Sequence, residues 1–190
     1  MKKVLLVHDL FSSSMDVFAL ELINLLRNEE VIVPELPIHP QEAFEIIQNT
    51  CKKEHPDVIV GWQSGAGLAQ QFPGYDRILV NPDYQVSNML DTLLNGEDEV
   101  QIPYLFERFD GHQNFRINAT LLEEYRQMES HQFDRVRSSS KLVFGFFWFG
   151  KNEENRDIHA EHYSDVTYLP GENYLDPKSI RIICETIKAL

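Results

Sequence analysis

The residues with the clearest potential for chemistry lie in one turn, which reads Gly61-Trp62-Gln63-Ser64-Gly65 and is called the glycine turn below. A β-branched run over residues 58–60 precedes this turn, and an apolar-periodic helix is predicted after it. Two glycines at this spacing are typical of a sharp strand-to-helix turn that presents a nucleophile. They are required because the central residue is strained and its neighbours crowd each other. In this register the central residue is Gln63, whose amide is not a nucleophile.

A second register of the same turn centres on Ser64, whose hydroxyl could act as a nucleophile. It places Trp62 two residues before the centre and Ala66 two residues after it. An indole is hard to fit into so tight a turn, so the steric argument favours Gln63 at the apex. A strand-to-helix turn that carries no chemistry is the third interpretation, and the pattern alone leaves it open.

Length, charge and cysteine content exclude several classes of partner. The 190 residues suffice for one domain over 1–190 with its own core. The formal net charge of -13 opposes binding to nucleic-acid phosphates and to anionic membrane surfaces. Two cysteines without metal-ligand spacing lead us to expect no metal and no cofactor. The first apolar run ends at His8 and is too short for a signal peptide, so we expect a cytoplasmic protein.

Short aliphatic runs alternate with helical patterns along most of the chain. Strands are predicted over residues 4–7, 31–33, 58–60, 77–80, 142–149 and 166–169, and helices over residues 15–28, 41–53, 118–136 and 177–190. This alternation predicts an α/β fold with a mainly parallel sheet and helices on both faces, in three αβα layers. Residues at about 83–140 break it, and we expect an insertion folded over the strand ends. That insertion is either a functional lid or a long loop with one surface helix.

The order of these landmarks resembles the small single-domain α/β-hydrolases, in particular the YqiA-like esterase group. Three short motifs carry the resemblance, namely the segment VHDLFSSS over residues 7–14, the glycine turn, and a strand that ends in Asn81-Pro82. The resemblance covers most of the chain by order of elements, and the insertion matches least. It implies the α/β-hydrolase fold and a triad of serine, histidine and carboxylate.

The positions that the resemblance assigns to this triad carry different chemistry here. Gln63 stands at the nucleophile position, and Asn173 stands at the histidine position in the turn before the last helix. An amide cannot shuttle a proton near neutral pH. Lys151 or Asn152 falls at the acid position, and Glu153 is the nearest carboxylate. The resemblance therefore implies a hydrolase-like protein whose triad is degenerate.

The backbone donors of the resembled site could persist without the triad. The resemblance assigns them to the N–H of Ser64 and to a residue near Asp9 and Leu10. We expect a small polar pocket beneath the insertion, lined by Asp9, Leu10, Gln63, Ser64 and Asn173. The two amides would face each other across it. A collapsed site filled by Phe11 or Tyr174 is the alternative.

The histidines outside these motifs suggest no further site. His8 is expected to be a strand-end histidine with its hydrogen bonds satisfied. His159 and His162 lie three residues apart, which would put both on one helix face. Metal binding there would need ligands that the sequence does not offer, so we expect a solvated surface.

Three functions are compatible with these observations. The first is a degenerate hydrolase-like protein that keeps its pocket to bind an unknown small polar molecule or to regulate. The second is an active serine hydrolase of the carboxylesterase type that uses Ser64. The third is a protein-interaction module that works through the aromatic, acidic segment 83–137, with a protein partner or as a homodimer.

Overall fold

The computed structural model describes residues 1–136, 141–148, 150–171 and 176–190. Within these ranges the chain forms eight strands and seven helices. The strands are β1 (Lys3–Val7), β2 (Glu30–Ile32), β3 (Val58–Trp62), β4 (Asp76–Val80), β5 (Glu99–Pro103), β6 (Asn114–Asn118), β7 (Val143–Trp148) and β8 (Val166–Leu169). The helices are α1 (Val17–Leu25), α2 (Pro40–Glu54), α3 (Ser64–Ala69), α4 (Val86–Leu94), α5 (Ala119–His131), α6 (Glu153–His162) and α7 (Pro177–Ala189).

Six strands form one sheet in the order β2-β1-β3-β4-β7-β8, and every neighbouring pair is parallel. The central strand β3 is buried along its whole length because helices cover both faces of the sheet. Phe18 of α1 and Ile183 of α7 pack on one face, while Ile47 of α2 and Ala69 of α3 pack on the other. The predicted three-layer αβα architecture with a mainly parallel sheet is confirmed.

The element bounds differ from the predicted ones mainly at the helix ends. Helix α1 begins at Val17 because the Asp16 carboxylate caps it, accepting the N–H of Ala19 at 2.6 Å. The last residue of the predicted strand 142–149 lies outside the described residues. Helix α2 has 15 residues, and no helix in the described ranges is long and apolar enough to cross a membrane.

The described part of the insertion contains α4, a two-stranded hairpin of β5 and β6, and α5. It has a core of its own, in which Leu90, Ile117 and Leu121 pack together with Leu10 from the loop after β1. Sequence analysis does not predict α4 or the hairpin, and the alternative of a long loop with one helix is wrong. The reason is that their apolar faces are completed by side chains from the loops after β1 and β2.

His159 departs from the expected solvated face. It is fully buried, with the Tyr84 hydroxyl donating to Nδ1 at 2.8 Å and Nε2 donating to the Asp165 carbonyl at 3.0 Å. A carbonyl can only accept, so Nε2 carries a hydrogen. Burial lowers the pKa of His159 to about 4, which keeps the ring neutral and Nδ1 able to accept from Tyr84. The expectation fails because α6 turns this residue toward β7, where a Cβ on Gly145 would overlap the ring.

We predict that His159→Gln removes part of the acid sensitivity of folding. Burial lowers the pKa of His159 to about 4, so the unfolded chain, with a histidine pKa near 6.5, takes up this proton first. This contribution to stability is present above about pH 6.5 and is lost as the pH falls toward about 4. At about pH 5 the loss amounts to about 2 kcal/mol. Glutamine can make both hydrogen bonds and does not titrate.

Urea unfolding at about pH 7.5 and about pH 5 measures this effect. The wild-type free energy of unfolding should fall by about 2 kcal/mol more than that of the variant. The exposed His131→Gln is the matched control and should keep the wild-type pH dependence. Equal pH dependence in the wild type and His159→Gln would show that the ring is not held neutral.

Candidate functional site

The glycine turn places Gln63 at its apex. Gln63 has φ 50° and ψ −118°, a conformation that side-chain-bearing residues rarely adopt. Its N–H donates to the Val80 carbonyl at 3.0 Å, and its carbonyl accepts the N–H of Asp83 at 3.0 Å. Ser64, by contrast, is the buried first residue of α3. The register centred on Gln63 therefore describes the backbone of this turn.

Close approach explains the two glycines of the turn. A Cβ on Gly61 would overlap the Cα of Ala66, and a Cβ on Gly65 would overlap the carbonyl oxygens of Val7 and His8. Any larger residue at either position would therefore push α3 away from the sheet. As a result, α3 begins directly against the carboxyl end of β1.

Asp9 and Ser64 join the loop after β1 to the start of α3. The Ser64 hydroxyl donates to Asp9 Oδ1 at 2.6 Å, and the Ser64 N–H donates to the same oxygen at 3.3 Å. The N–H of Leu10 in turn donates to Ser64 Oγ at 2.6 Å. Burial raises the pKa of the Asp9 carboxyl, while its hydrogen bonds from Ser64 oppose that shift. The backbone donors that the resemblance assigns to the site are thus already bonded within the chain.

His8 lies beside this loop, but both of its ring nitrogens are occupied. The N–H of Leu36 donates to Nε2 at 3.2 Å, so the ring hydrogen is on Nδ1 and is donated to the Asp9 carbonyl at 2.9 Å. Burial lowers the pKa of His8, which favours the neutral ring. Because its only acceptor nitrogen is already bonded, His8 is not placed to take a proton from Ser64.

The loop after β7 brings amides rather than a carboxylate to the neighbouring strand end. Asn152 has φ 52°, and its Nδ2 donates to the Pro82 carbonyl at 2.8 Å. Asn155 donates to Asn152 Oδ1 at 2.6 Å, a contact that sequence analysis does not predict. Glu153 is exposed on the first turn of α6. Asn152 therefore connects the ends of β4 and β7, while the Glu153 carboxylate pairs with Arg156 at 3.7 Å on the exposed side of α6.

The structure brings together four of the five residues expected to line the pocket: Asp9, Leu10, Gln63 and Ser64. Asn173 and Tyr174 lie outside the described residues, so the approach of Asn173 to Gln63 stays a prediction. Sequence analysis also misses that Asp9 binds Ser64. The two residues lie 55 positions apart, so no local sequence pattern reports this bond.

Solved hydrolases have similar structures. A putative hydrolase from Agrobacterium vitis matches with a TM-score of 0.72 and 13% identity, covering 99% of this chain and 87% of that one. Est1E from Butyrivibrio proteoclasticus, solved with ferulic acid bound, matches with a TM-score of 0.71 and 11% identity over 100% and 87% of the two chains. Alpha/beta hydrolase domain-containing protein 10 from mouse matches with a TM-score of 0.69 and 11% identity over 98% and 88%.

No protein-family model matches the chain, and no curated protein sequence is significantly similar to it. Identities this low carry information about the fold and not about the reaction. The parallel sheet, the glycine turn between β3 and α3, and the likeness to these structures show together that the chain has the α/β-hydrolase fold.

Proposed function

We propose that this protein is a catalytically degenerate member of its fold class that acts by binding or regulation and not by acyl transfer. The observation that carries the proposal is Gln63 at the strained apex, where a nucleophile elbow presents its nucleophile. A carboxamide cannot form the acyl intermediate on which this chemistry depends.

The contacts of Asp9 support the same conclusion. Acyl transfer needs free backbone N–H groups that wait for the negative charge of the transition state. Here the N–H of Ser64 is bonded to Asp9 Oδ1, and the N–H of Leu10 is bonded to Ser64 Oγ. Asp9 Oδ1 therefore stands where an oxyanion would have to accept the Ser64 N–H. These hydrogen bonds stabilise the folded protein without a ligand and leave neither N–H free to stabilise a transition state.

The proposed ligand is a small polar molecule that is neutral or cationic. The backbone donors that could hold an anion at the carboxyl end of β1 are already bonded, and Asp9 presents only oxygen atoms there. The Gln63 amide offers both donors and an acceptor to such a ligand. The pocket of this proposal includes Asn173, placed there by the resemblance.

One contact favours a second function, hydrolysis by Ser64. Its hydroxyl donates to Asp9 Oδ1 at 2.6 Å, which is the geometry of a nucleophile beside a base. However, Ser64 is only 6% exposed, and its oxygen already accepts the N–H of Leu10. It also lies within α3 and not at the apex of the turn. These three features favour the degenerate protein over the esterase.

We predict that the wild-type protein hydrolyses short-chain p-nitrophenyl esters no faster than background and is not labelled by fluorophosphonate probes. Both outcomes follow from the absence of an activated serine. Initial rates of the wild type, Ser64→Ala and Gln63→Ala should be equal. Turnover that is lost in Ser64→Ala but kept in Gln63→Ala, or covalent mass mapped to Ser64, would establish the second function instead.

We predict that triad repair alone restores little activity. Gln63→Ser alone should remain inactive for lack of a base, and Gln63→Ser with Asn173→His should gain little while the backbone donors stay bonded. Adding Asp9→Gly and Ser64→Ala should free both donors. The value of kcat/KM for p-nitrophenyl acetate should then rise by about 10²-fold or more, since one such donor is worth about 10²–10³ in rate.

Ser12→Ala in the double variant is the matched control. Like Ser64→Ala, it removes a buried serine hydroxyl. The Ser12 hydroxyl lies in the loop after β1 and donates to Asp16, and it makes no bond to the glycine turn. This control should give no gain in rate. Family-level activity from Gln63→Ser alone would mean that a base is already in place, and would contradict the proposed degeneracy.

A further inference from the structure

In the hairpin of β5 and β6, opposite residues alternate between hydrogen-bonded and non-hydrogen-bonded pairs, and this alternation decides which backbone groups face outward. The N–H of Tyr104 donates to the Gln113 carbonyl at 3.0 Å, so this pair belongs to the hydrogen-bonded set. The register pairs Pro103 with Asn114 and Gln101 with Arg116, and both pairs fall in the other set. In an antiparallel ladder, backbone groups of that set point away from the partner strand.

The two outer edges of the hairpin differ. The edge of β5 carries Pro103, which has no N–H and is a common device against edge pairing. The edge of β6 carries Asn114 and Arg116, each with an N–H and a carbonyl. Within the described ranges of the chain, no hydrogen bond reaches the N–H of either residue. The β6 edge is therefore open to a further strand.

A groove of about 820 Å³ lies along this open edge. It is walled by β6 on one side and by α2 with its preceding loop on the other. The residues that define its two walls are Asn114, Phe115 and Arg116 on one side and Ile38, Glu42 and Ile46 on the other. Tyr104 adds a second ring, centred 4.9 Å from that of Phe115. Phe115 is only 5% exposed and Ile38 only 7%, so the groove offers strand-pairing groups together with a small apolar surface, to which the partly exposed Tyr104 and Ile46 contribute.

The charge of the groove is negative. Its lining includes four carboxylates but only two guanidinium groups. The carboxylates belong to Glu35, Glu42, Glu99 and Asp110, and the guanidinium groups belong to Arg108 and Arg116. The Arg108 side chain is 1% exposed, lies 3.2 Å from Glu35 and 4.2 Å from the ring centre of Tyr104, and also pairs with Asp110. Its charge is therefore compensated inside the protein. Arg116 pairs with Glu99 at 3.3 Å, so the groove keeps an excess of two carboxylates. With a net charge of -13 on the whole chain, this excess favours a cationic partner.

We propose that this groove binds a basic, extended peptide segment of a partner protein as an added strand on β6. Backbone hydrogen bonds to Asn114 and Arg116 would supply pairing, as in other cases of strand addition. Alternate side chains of the segment would meet the carboxylates and the partly exposed Tyr104 ring. None of residues 61–65 lines the groove, so this binding is independent of the chemistry of the glycine turn.

The first experiment uses a capped seven-residue peptide of alternating lysine and valine, with glutamate in place of lysine as the charge control. Calorimetry should detect binding of the lysine peptide only. Amide hydrogen exchange should slow at Asn114 and Arg116 and stay unchanged at Gln101 on the opposite edge. Binding of the glutamate peptide with equal affinity, or no binding of the lysine peptide, would overturn the proposal.

A matched pair of variants tests the edge itself. Arg116→Pro removes an outward N–H without touching the β5 ladder, and it should weaken binding by about tenfold or more. Gln101→Pro makes the same change at the directly opposite position, and it should leave the affinity unchanged. Arg116→Gln removes the positive charge of the side chain but keeps the backbone N–H, so it distinguishes the effect of charge from that of the backbone. Because the partner segment is cationic, this variant should bind at least as tightly as the wild type.

Glu42→Gln should weaken binding and reduce its dependence on salt. Equal affinities of Arg116→Pro and Gln101→Pro for the lysine peptide would overturn strand addition.

If Arg116→Pro does not fold, the amide hydrogen exchange of the wild type at Asn114 and Arg116 decides between the outcomes. Saturable binding of spermidine, together with peptide binding that leaves the Asn114 and Arg116 amides unprotected, would reveal a cation pocket in place of a strand site.

Discussion

The contact between the start of α3 and the end of β1 is the constraint on which the site depends. It exists because Gly61 and Gly65 have no side chain at the points where the two backbones approach. The same packing holds Gln63 at φ 50°, a strained conformation that costs on the order of 1–3 kcal/mol and persists only where the surroundings enforce it. The protein thus keeps the geometry of a nucleophile elbow with an amide at its apex.

Internal hydrogen bonds occupy the backbone donors around this turn. A hydrolase keeps donors free for charge that appears only in the transition state. Here Ser64 and Asp9 satisfy each other, and His8 has both nitrogens bonded. Each buried polar group left unpaired would cost about 1–3 kcal/mol, so these pairings stabilise the folded state. Asn152 and Asn155 follow the same rule at the strand end where the acid would stand.

Buried polar contacts also attach the insertion to the C-terminal end of α3. Gln70 follows α3 and donates to the Gln132 carbonyl at 2.7 Å, and Gln132 in turn donates to the Tyr84 carbonyl at 2.9 Å. The chain just after α5 is therefore tied to the helix that begins at the turn. The hairpin lies between α4 and α5 in the middle of the insertion, and β6 lines the groove. One segment thus both packs against α3 and the loops after β1 and β2 and carries β6 at the groove.

Sequence by itself determined the parallel sheet, its six strands and the apex of the glycine turn. Those features follow from hydrophobic periodicity and from the steric need for glycine at Gly61 and Gly65, which act within a few residues. Only the tertiary structure decided the burial of His159, the hairpin edge and the bond between Asp9 and Ser64. That bond joins positions 55 residues apart, and the His159 ring needs the space left by a glycine on another element. Local patterns do not report such contacts, because they form only when distant elements pack together.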